Sequence, residues 1–360
     1  MKSNAYFVLN FIKLHIYSHG ITSGDQEVSH GFFTFICEGR VTAIEKILRI
    51  FPLHMREGLR SAAATLKNIE EIRIRTGKPL ILLAGQEEWY LSQNGKGLTK
   101  ECSGAYRVTV QDISDMMVFI SRYSLFAFEE EVKSGFITLE GGHRVGLGGQ
   151  AVCQEGCIRT LRNISCMNIR ICHERKECAR RLIPFLYRHP ERKQSGIYNT
   201  LIVSPPGKGK TTLLRDMVRI LSDGTRQHSG LNISIVDERS EIAGCYQGVP
   251  QNDVGMRTDV LDGCPKANGM MLLIRTMSPQ VVAVDEIGTK EDVAAVSYAL
   301  NCGCSILGSV HAEGLEELEK KPALSEFFMR GYFERFLVIG QAEDGERLYH
   351  MYNARKEQVC

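Results

Sequence analysis

One glycine-rich segment constrains the fold of this chain more than any other, and it reads Ser204-Pro205-Pro206-Gly207-Lys208-Gly209-Lys210-Thr211-Thr212. It follows the apolar run Leu201 to Val203, which predicts a strand, and it precedes a helical pattern that we expect to begin at Thr211. A segment of this kind between a strand and a helix is a P-loop, whose backbone amides and helix N-terminus face a phosphate group. Ser204 replaces the usual first glycine, so we expect either a loop entry that tolerates a side chain or a weaker affinity for nucleotide.

Apolar runs alternate with helical patterns throughout the part of the chain that follows residue 196. Besides the run before the P-loop, the segments that predict strands are Ile233 to Val236, Val281 to Val284 and Ser305 to Val310. Continuous apolar strands separated by helices are typical of a parallel sheet covered on both faces. We therefore predict an α/β fold, with the P-loop domain over residues 197–360.

Two carboxylates, Asp285 and Glu286, directly follow the predicted strand Val281 to Val284. In a P-loop enzyme the first can hold Mg²⁺ together with Thr211, and the second can polarise the water that attacks the γ-phosphate. Lys210 would contact the β- and γ-phosphates. A charged strand end that faces solvent is the other interpretation, which we favour less because buried strands seldom end in two acids. The pattern predicts hydrolysis of a nucleoside triphosphate with Mg²⁺.

Further polar residues follow two more predicted strands of the same sheet. Glu238 and Glu241 come after Ile233 to Val236, and His311 comes after Ser305 to Val310. Ligands of open parallel sheets bind at the carboxyl ends of the strands, so His311 can sense the γ-phosphate and either glutamate can orient water or metal. Each can equally be a surface residue, or in the case of His311 a structural histidine, and both interpretations stay open.

The chain before residue 173 predicts a smaller α+β domain over residues 44–172. Helical spacing of apolar residues starts at Ile44 and continues toward a turn at Thr76 to Pro79. A further helix is predicted over Val108 to Ser124, opened by Thr109. Extended segments, including a glycine-rich hairpin pattern, are predicted at Leu80 to Leu83, Trp89 to Leu91, Gly135 to Gly149 and, as several short pieces, Ile158 to Ile171.

A basic segment, residues 173–196, joins the two predicted domains. Its basic side chains outnumber its acidic ones by seven to three, which fits either an anionic partner or a solvated helix and linker. We favour the second interpretation, in which four apolar residues pack inward: Leu182, Ile183, Phe185 and Leu186.

Residues 1–43 form an N-terminal extension to which we assign no domain. The apolar stretch Ala5 to Ile16 is shorter than the roughly 20 residues that a membrane span needs, and no small-residue cleavage pattern follows it. We therefore expect no signal peptide and no transmembrane segment. A start codon assigned too far upstream is an open alternative for this extension.

The charge balance and the cysteines limit which binding partners and which cellular compartment we expect. The 44 basic and 42 acidic residues leave a formal charge of +2, which provides no global field to hold nucleic acid. The 12 cysteines lie at irregular spacings, which favours free thiols in the cytosol over a disulfide framework. The spacings within the cluster from Cys153 to Cys178 also disfavour a zinc site.

Long strings of this chain resemble the stage III sporulation protein AA family. The resemblance extends back through Tyr123 to Gly149 to the helical pattern at Ile44, and it leaves out residues 1–43. Lys208 stands where members often have a small residue or cysteine, so this extra cation either tightens nucleotide binding or crowds the loop. The strings themselves are the P-loop segment Val203 to Asp216, IVDERSEIAGCYQGVPQNDVG at Ile235 to Gly255, RTDVLDGCPKA at Arg257 to Ala267 and MSPQVVAVDEIG at Met277 to Gly288.

The family is one of bacterial P-loop ATPases and is similar to the traffic ATPases of type II and type IV secretion, which implies a RecA-like core. By that resemblance, Leu273 to Pro279 with Glu286 is an acidic box with its catalytic glutamate, Asp237 to Glu241 an aspartate box, and Ser309 to His311 a histidine box. In those relatives a second domain supplies arginines to the nucleotide, acting in trans. The candidates here, which ordinary strand-edge charge explains equally well, are Arg144, Arg159, Arg162 and Arg170.

The resemblance also implies ligands, assembly and location. It implies a homo-hexamer that hydrolyses ATP with Mg²⁺. It also implies that the protein lies in the mother-cell cytoplasm, peripheral at the outer forespore membrane, where it powers the channel formed by other stage III sporulation proteins.

Two other functions stay open. One is a nucleic-acid-dependent RecA-like ATPase, which only the basic stretch Arg175 to Lys193 supports; the other is a nucleotide-gated scaffold that needs no turnover.

Overall fold

Two seven-stranded β-sheets form the framework of the described part of the chain. The computed structural model describes residues 43–66, 68–121, 136–154, 156–188, 196–321, 324–342 and 347–360. Apart from its last residue, the predicted N-terminal extension lies outside the described residues, as do residues 122–124 of the predicted helix Val108 to Ser124 and residues 189–195 of the predicted linker.

The first sheet is antiparallel and comes from the N-terminal part of the chain. Its spatial order is β4-β3-β2-β1-β7-β6-β5, so that β7 pairs with both β1 and β6. The strands are β1 (Ile69–Arg75), β2 (Ile81–Ala84), β3 (Glu87–Leu91), β4 (Leu98–Thr99), β5 (Phe136–Leu139), β6 (His143–Gln154) and β7 (Cys157–Arg170). The helices of this region are α1 (Ala43–Leu48), α2 (Leu53–Thr65) and α3 (Val110–Ser121).

One hydrophobic core joins this sheet to its helices. Ile72 and Ile74 of β1 are fully buried in the same cluster as Phe51 and Met55, which precede and begin α2. The side chains alternate along β1, so one face of the strand carries the core and the other remains polar. Burial of these apolar side chains supplies the main driving force for this α+β region.

The second sheet is parallel except at one edge, and its order is β10-β9-β11-β12-β8-β13-β14. Its strands are β8 (Thr200–Val203), β9 (Ile233–Asp237), β10 (Thr258–Asp262), β11 (Val281–Val284), β12 (Ser305–Val310), β13 (Arg335–Gln341) and β14 (Arg347–Asn353), of which β14 runs antiparallel to β13. The helices are α4 (Lys210–Asp223), α5 (Lys266–Met277), α6 (Lys290–Asn301), α7 (Leu315–Lys320) and α8 (Ser325–Met329).

The second sheet has a core on each face. Leu213 and Met217 of α4 lie in one cluster, and Leu273 of α5 and Val296 of α6 lie in the other. The four apolar strands predicted around the P-loop, at Leu201, Ile233, Val281 and Ser305, are confirmed within one residue of their predicted ends. A central parallel sheet with helices on both faces confirms the predicted α/β architecture.

Most N-terminal predictions are also confirmed. Ile81–Ala84 and Glu87–Leu91 form an antiparallel pair, and Phe136–Leu139 pairs with β6 as a hairpin. Thr109 opens α3 in a capping box: the Asp112 amide donates to Thr109 Oγ1 at 3.1 Å, and the Thr109 amide donates to Asp112 Oδ2 at 2.7 Å.

Three expectations about local structure were wrong. The helical pattern does not continue to the turn at Thr76, because residues 69–75 form β1 and pair with β2 and β7. The short extended pieces expected over Ile158 to Ile171 are one long strand, because β6 pairs along its length and β1 pairs with it over Cys166 to Arg170. Phe185 does not pack inward and is 37% exposed, because the segment around it forms a short 3₁₀ turn, Ile183–Phe185, in place of a regular helix.

The basic segment packs on the P-loop helix. Leu182, Ile183 and Leu186 are buried in the cluster that contains the apolar side of α4, and the backbone amide of Ala179 donates to Asp216 of that helix at 2.8 Å. These residues therefore belong to the core beneath the P-loop. Val41–Cys360 cluster as one compact unit, and the predicted boundaries of the two domains remain predictions.

Within the described ranges, no helix combines the length and the apolar character that a membrane span needs.

Candidate functional site

The P-loop connects β8 to α4 along a path that only glycine adopts easily. Gly207 and Gly209 have φ values of 74° and 94°, and a side chain at Gly207 would meet no atom within 4 Å. Ser204 is fully buried and is not among the residues with positive φ, so the loop entry accommodates its side chain without strain. The backbone therefore curls around an open space at the N-terminus of α4, which suits an anion.

Lys210 points into this curl. Its side chain is 4% exposed, and its Nζ donates to the carbonyl oxygens of Ser204 and Pro205 at 3.1 and 3.0 Å. Burial lowers the pKa of Lys210, although the charges of Asp285, Glu286 and Glu241 oppose that effect. A buried ammonium held by two carbonyl oxygens and by the imidazole of His311 can exchange such neutral partners for a phosphate.

A hydroxyl and a carboxylate meet beside the lysine. Thr211 Oγ1 donates to Asp285 Oδ2 at 2.5 Å, so the first turn of α4 touches the end of β11. Ser309, at the end of the neighbouring β12, donates to the other oxygen of Asp285. Hard oxygen donors in this arrangement fit Mg²⁺ beside a phosphate. The described residues contain no cluster of three or more His, Cys, Asp or Glu side chains that would form an all-protein metal site.

Glu286 has a partner on each carboxylate oxygen. His311 Nε2 lies 2.8 Å from Oε1, and Arg239 Nη1 lies 2.9 Å from Oε2. Burial alone would raise the pKa of Glu286, but the hydrogen bond with His311 and the charges of Arg239 and Lys210 outweigh burial and lower it. The φ of Glu286 is 52°, a left-handed conformation that residues other than glycine seldom adopt.

His311 joins the lysine and the glutamate. Its Nδ1 lies 2.9 Å from Lys210 Nζ, while its Nε2 contacts Glu286. Because an ammonium can only donate, Nδ1 accepts from Lys210 and Nε2 carries the proton that it donates to Glu286. The structure thus brings Lys210, Thr211, Asp285, Glu286 and His311 together at the carboxyl end of the parallel sheet, where the sequence predicted them.

The loop that follows β9 is built around Asp237, which is 1% exposed. Its carboxylate accepts hydrogen bonds from the backbone amides of Glu241, Ile242 and Ala243 at 2.8, 3.0 and 2.8 Å. Burial raises the pKa of Asp237 even though these three bonds act in the opposite direction. Asp237 therefore shapes the loop that carries Arg239 and Glu241.

Two arginines from other elements bind the loop after β9. Arg215 of α4, 7% exposed, donates to the carbonyl oxygens of Ile242 and Glu241. Arg144 of β6 pairs with Glu241 at 2.9 Å and donates to the carbonyl oxygen of Arg239. Arg144 therefore reaches the loop after β9 of its own chain, and the contact links the first sheet to the second.

The remaining predicted residues have their polar partners outside this cluster. Glu238 pairs with Lys266 at the start of α5 and lines a small cleft with Asp285 and Glu286. Lys208 Nζ donates to Gln341 Oε1 at 2.5 Å, so it ties the P-loop to β13. Pro206 and Thr212 lie within the loop and the first turn of α4.

The other candidate arginines lie along β7. Arg170 pairs with Glu71 of β1 at 3.4 Å and lines a cavity of about 290 Å³ that also contains Thr211 and Glu241. Arg162 lies opposite Gln150, and Arg159 donates to Gln154, both toward the turn of the β6–β7 hairpin. The structure does not bring these two arginines to the P-loop of their own chain, and their action in trans remains a prediction.

Sequence reasoning did not single out Arg239, Ser309 or Arg215 as individual residues. Arg215 carried only a weak signal, because it is one of three charged residues in the mostly apolar run LLRDMVRIL of α4. The sequence contained no recognisable signal for Ser309 or Arg239, since a serine in a strand and an arginine in a loop are common in proteins. Their partners come from other segments of the chain.

Comparison with known proteins identifies relatives over most of the chain. A family model described as "Sporulation stage III, protein AA" matches residues 42–359. Stage III sporulation protein AA of Bacillus subtilis (strain 168) is 41% identical over 285 residues, which cover 79% of this chain and 87% of that protein. Protein SEEDLING PLASTID DEVELOPMENT 1 of Arabidopsis thaliana is 30% identical over 126 residues, 34% of this chain and 18% of that protein.

Solved structures with a similar fold include ATPases. The pilus retraction motor PilT with bound ADP has a TM-score of 0.53 at 13% identity, with 85% of this chain and 82% of that chain covered. The Yersinia pseudotuberculosis ATPase DotB has a TM-score of 0.50 at 12% identity, with 79% and 76% covered. At such identities the likeness concerns the fold alone, and it confirms a RecA-like P-loop core with a smaller α+β domain before it.

Proposed function

The chain belongs to the sporulation stage III protein AA family, and from this premise we propose that it is a Mg²⁺-dependent ATPase. The observation that carries the proposal is the 2.5 Å hydrogen bond between Thr211 Oγ1 and Asp285 Oδ2. It unites the first turn after the P-loop with the acidic end of β11. A P-loop next to an acidic strand end is the arrangement that nucleoside triphosphate hydrolysis requires.

Thr211 and Asp285 would hold the magnesium ion, Asp285 through the ion's water shell. When bound, the ion neutralises charge that develops on the phosphate oxygens. Ser309 and the amide of Glu286 donate to Asp285 Oδ1, the amide at 3.0 Å, so the carboxylate is already oriented. Preorganised donors and acceptors of this kind cost little rearrangement when substrate binds.

Lys210 would exchange its carbonyl partners for the β- and γ-phosphates of ATP. Glu286 would accept the proton of the attacking water, because its lowered pKa keeps it ionised at neutral pH. His311 contacts both Lys210 and Glu286. When Lys210 binds the γ-phosphate, His311 would change its contact with Lys210 and so affect Glu286. Glu241 and Arg239, on the loop shaped by Asp237, complete the polar wall of the site.

The cellular role is a further part of the proposal. Family membership supports an ATP-driven motor for the channel complex that stage III sporulation proteins form between mother cell and forespore. The proposed form is a homo-hexamer, located in the mother-cell cytoplasm at the outer forespore membrane. Arg144, Arg159, Arg162 and Arg170 remain candidates for action on the nucleotide of a neighbouring subunit.

Hydrolysis of ATP by the purified full chain, with and without Mg²⁺, tests the enzymatic part. We expect turnover that needs Mg²⁺, a loss of roughly 10²–10⁴-fold in kcat for Glu286→Gln with ADP binding retained, and loss of binding for Lys210→Ala. Native mass measurement of the same samples with ATP gives the number of subunits. Wild-type protein with no more turnover than Lys210→Ala would overturn the ATPase proposal.

A sporulation assay separates the motor from a scaffold that only binds nucleotide. If turnover drives the channel, cells with Glu286→Gln fail to sporulate even though the variant protein accumulates and binds ADP. Normal sporulation with this variant would contradict the motor role while leaving nucleotide binding in place.

A further inference from the structure

A second cavity, of about 880 Å³, opens beside the P-loop, and three segments line it. They are the P-loop residues Gly207 and Lys208, the basic segment between Arg175 and Leu182, and the ends of β13 and β14 at residues 340–341 and 347–349, with Cys360 as a further lining residue. We propose that this C-terminal cavity binds the nucleoside of a nucleoside di- or triphosphate and that Arg347 contacts its phosphate chain. The proposal deepens the ATPase function and rests on it.

The position of Arg347 is the first argument. A Cβ built on Gly209 would lie 2.7 Å from Arg347 Cζ, so the guanidinium packs directly on the last glycine of the P-loop. Gly209 is also the N-cap of α4, whose amide groups form a positive pole. A cation against a positive pole is unfavourable by itself and becomes favourable when an anion lies between them. Among the described residues no carboxylate forms an ion pair with Arg347.

Charge in the cavity lining is the second argument. The lining contains four basic side chains, those of Arg175, Arg181, Lys208 and Arg347, and one acidic side chain, that of Glu177. Glu177 is itself bound by Arg180 and by Arg219, the latter at 2.7 Å. Its negative charge is therefore already balanced, and the described lining residues keep an excess of positive charge that suits a phosphate chain.

The apolar part of the lining suits the nucleoside. Leu182 is buried, Leu348 is 42% exposed, and the aromatic side chain of Tyr349 is partly buried against the core while it lines the cavity. A purine stacks well on such a surface, and a volume of about 880 Å³ lies within the range typical of small-molecule sites. The cavity thus has Lys208 and Arg347 at the P-loop and includes apolar surface from Leu182, Leu348 and Tyr349, a combination that suits a nucleotide.

Calorimetric titration of the full chain with ADP and with inorganic tripolyphosphate tests this assignment. Arg347→Ala should weaken binding of both ligands at least tenfold. Leu348→Trp, which places a larger side chain in the cavity from an exposed position, should weaken the binding of ADP at least tenfold. It should leave the affinity for tripolyphosphate unchanged. Arg355→Ala, which removes the same charge from the exposed turn after β14, should bind both ligands like the wild type. Equal melting temperatures establish that the variants fold.

The outcomes separate this proposal from the function it rests on. If the wild type binds ADP and both Arg347→Ala and Leu348→Trp bind it equally well, the C-terminal cavity is not the nucleoside site, although the ATPase proposal survives. If Leu348→Trp weakens tripolyphosphate as much as ADP, the nucleoside assignment is wrong. A wild type that binds neither ligand would overturn the ATPase proposal itself.

Discussion

Arg239 forms an ion pair with Glu286, with 2.9 Å between Nη1 and Oε2. Since His311 lies against the other oxygen of the same carboxylate, the proposed base has no oxygen free of a protein partner in this state. A base that takes a proton from water needs one of those oxygens to face the water. The Arg239 side chain is 64% exposed, so it is the partner that can leave at the lower cost.

Because of its ion pair with Glu286, Arg239 should affect the ATPase rate at low pH. Its charge helps to lower the pKa of Glu286 against the effect of burial. Arg239→Gln removes that charge, so the pKa of Glu286 rises and protonation begins at a higher pH. We expect the acid limb of kcat/KM to move to higher pH, measured by initial ATPase rates between pH 4.5 and 8.

The matched control for this profile is Arg226→Gln, an exposed arginine in the loop after α4. It should leave the acid limb where the wild type has it. An acid limb that stays in place in Arg239→Gln as well would mean that the ion pair does not control the ionisation of Glu286.

The bond between Thr211 and Asp285 predicts a change in the requirement for magnesium. Thr211→Val keeps the shape of the side chain and removes the hydroxyl that donates to Asp285 at 2.5 Å. Loss of one such oxygen should raise the Mg²⁺ concentration for half-maximal ATPase activity roughly 10–100-fold, and Thr211→Ser should restore it. A valine variant with the wild-type Mg²⁺ dependence would remove Thr211 from the metal site.

The contact of Arg144 with Glu241 predicts an energetic coupling between the two sheets. The pair is 24% and 34% exposed at 2.9 Å, so solvent screens it only partly. A double-mutant cycle with Arg144→Met and Glu241→Gln should give a coupling of about 0.5–1 kcal/mol in the free energy of unfolding, measured in urea. The exposed pair Lys100 and Glu87 of the first sheet, 3.3 Å apart, should give about half of that or less. Strict additivity at Arg144 and Glu241 would show that the pair contributes no coupling.

Asp237 should stabilise the loop after β9, because its carboxylate accepts hydrogen bonds from three backbone amides of that loop. In Asp237→Asn an amide group replaces one carboxylate oxygen and faces backbone amides that also donate, so at least one buried donor loses its partner. We expect a loss of about 1–3 kcal/mol in unfolding free energy and faster hydrogen exchange at the amides of residues 241–243. The exposed Asp259→Asn on β10 is the control. Unchanged exchange at these amides would contradict the role given to Asp237.

Local patterns predicted the parallel sheet and the position of the P-loop because both depend on neighbouring residues. Apolar runs of four to six residues between helical patterns define buried strands, and glycines with positive φ at positions 207 and 209 mark the loop. The same reasoning failed for β1, where the spacing of apolar residues fits a helix but pairing with β2 and β7 makes a strand. Strand pairing between distant segments overrides local propensity.

The sequence by itself determined which residues meet at the carboxyl ends of the strands, since a parallel sheet places the residues after β8, β9, β11 and β12 at one edge. Only the tertiary structure decided which of them touch. Arg239 reaches Glu286, Ser309 orients Asp285, Arg144 contacts its own chain, and Arg347 lies on Gly209 from a strand 138 positions later in the chain. Such contacts depend on side-chain reach and on the packing of separate segments, and neither leaves a repeating pattern in the order of the residues.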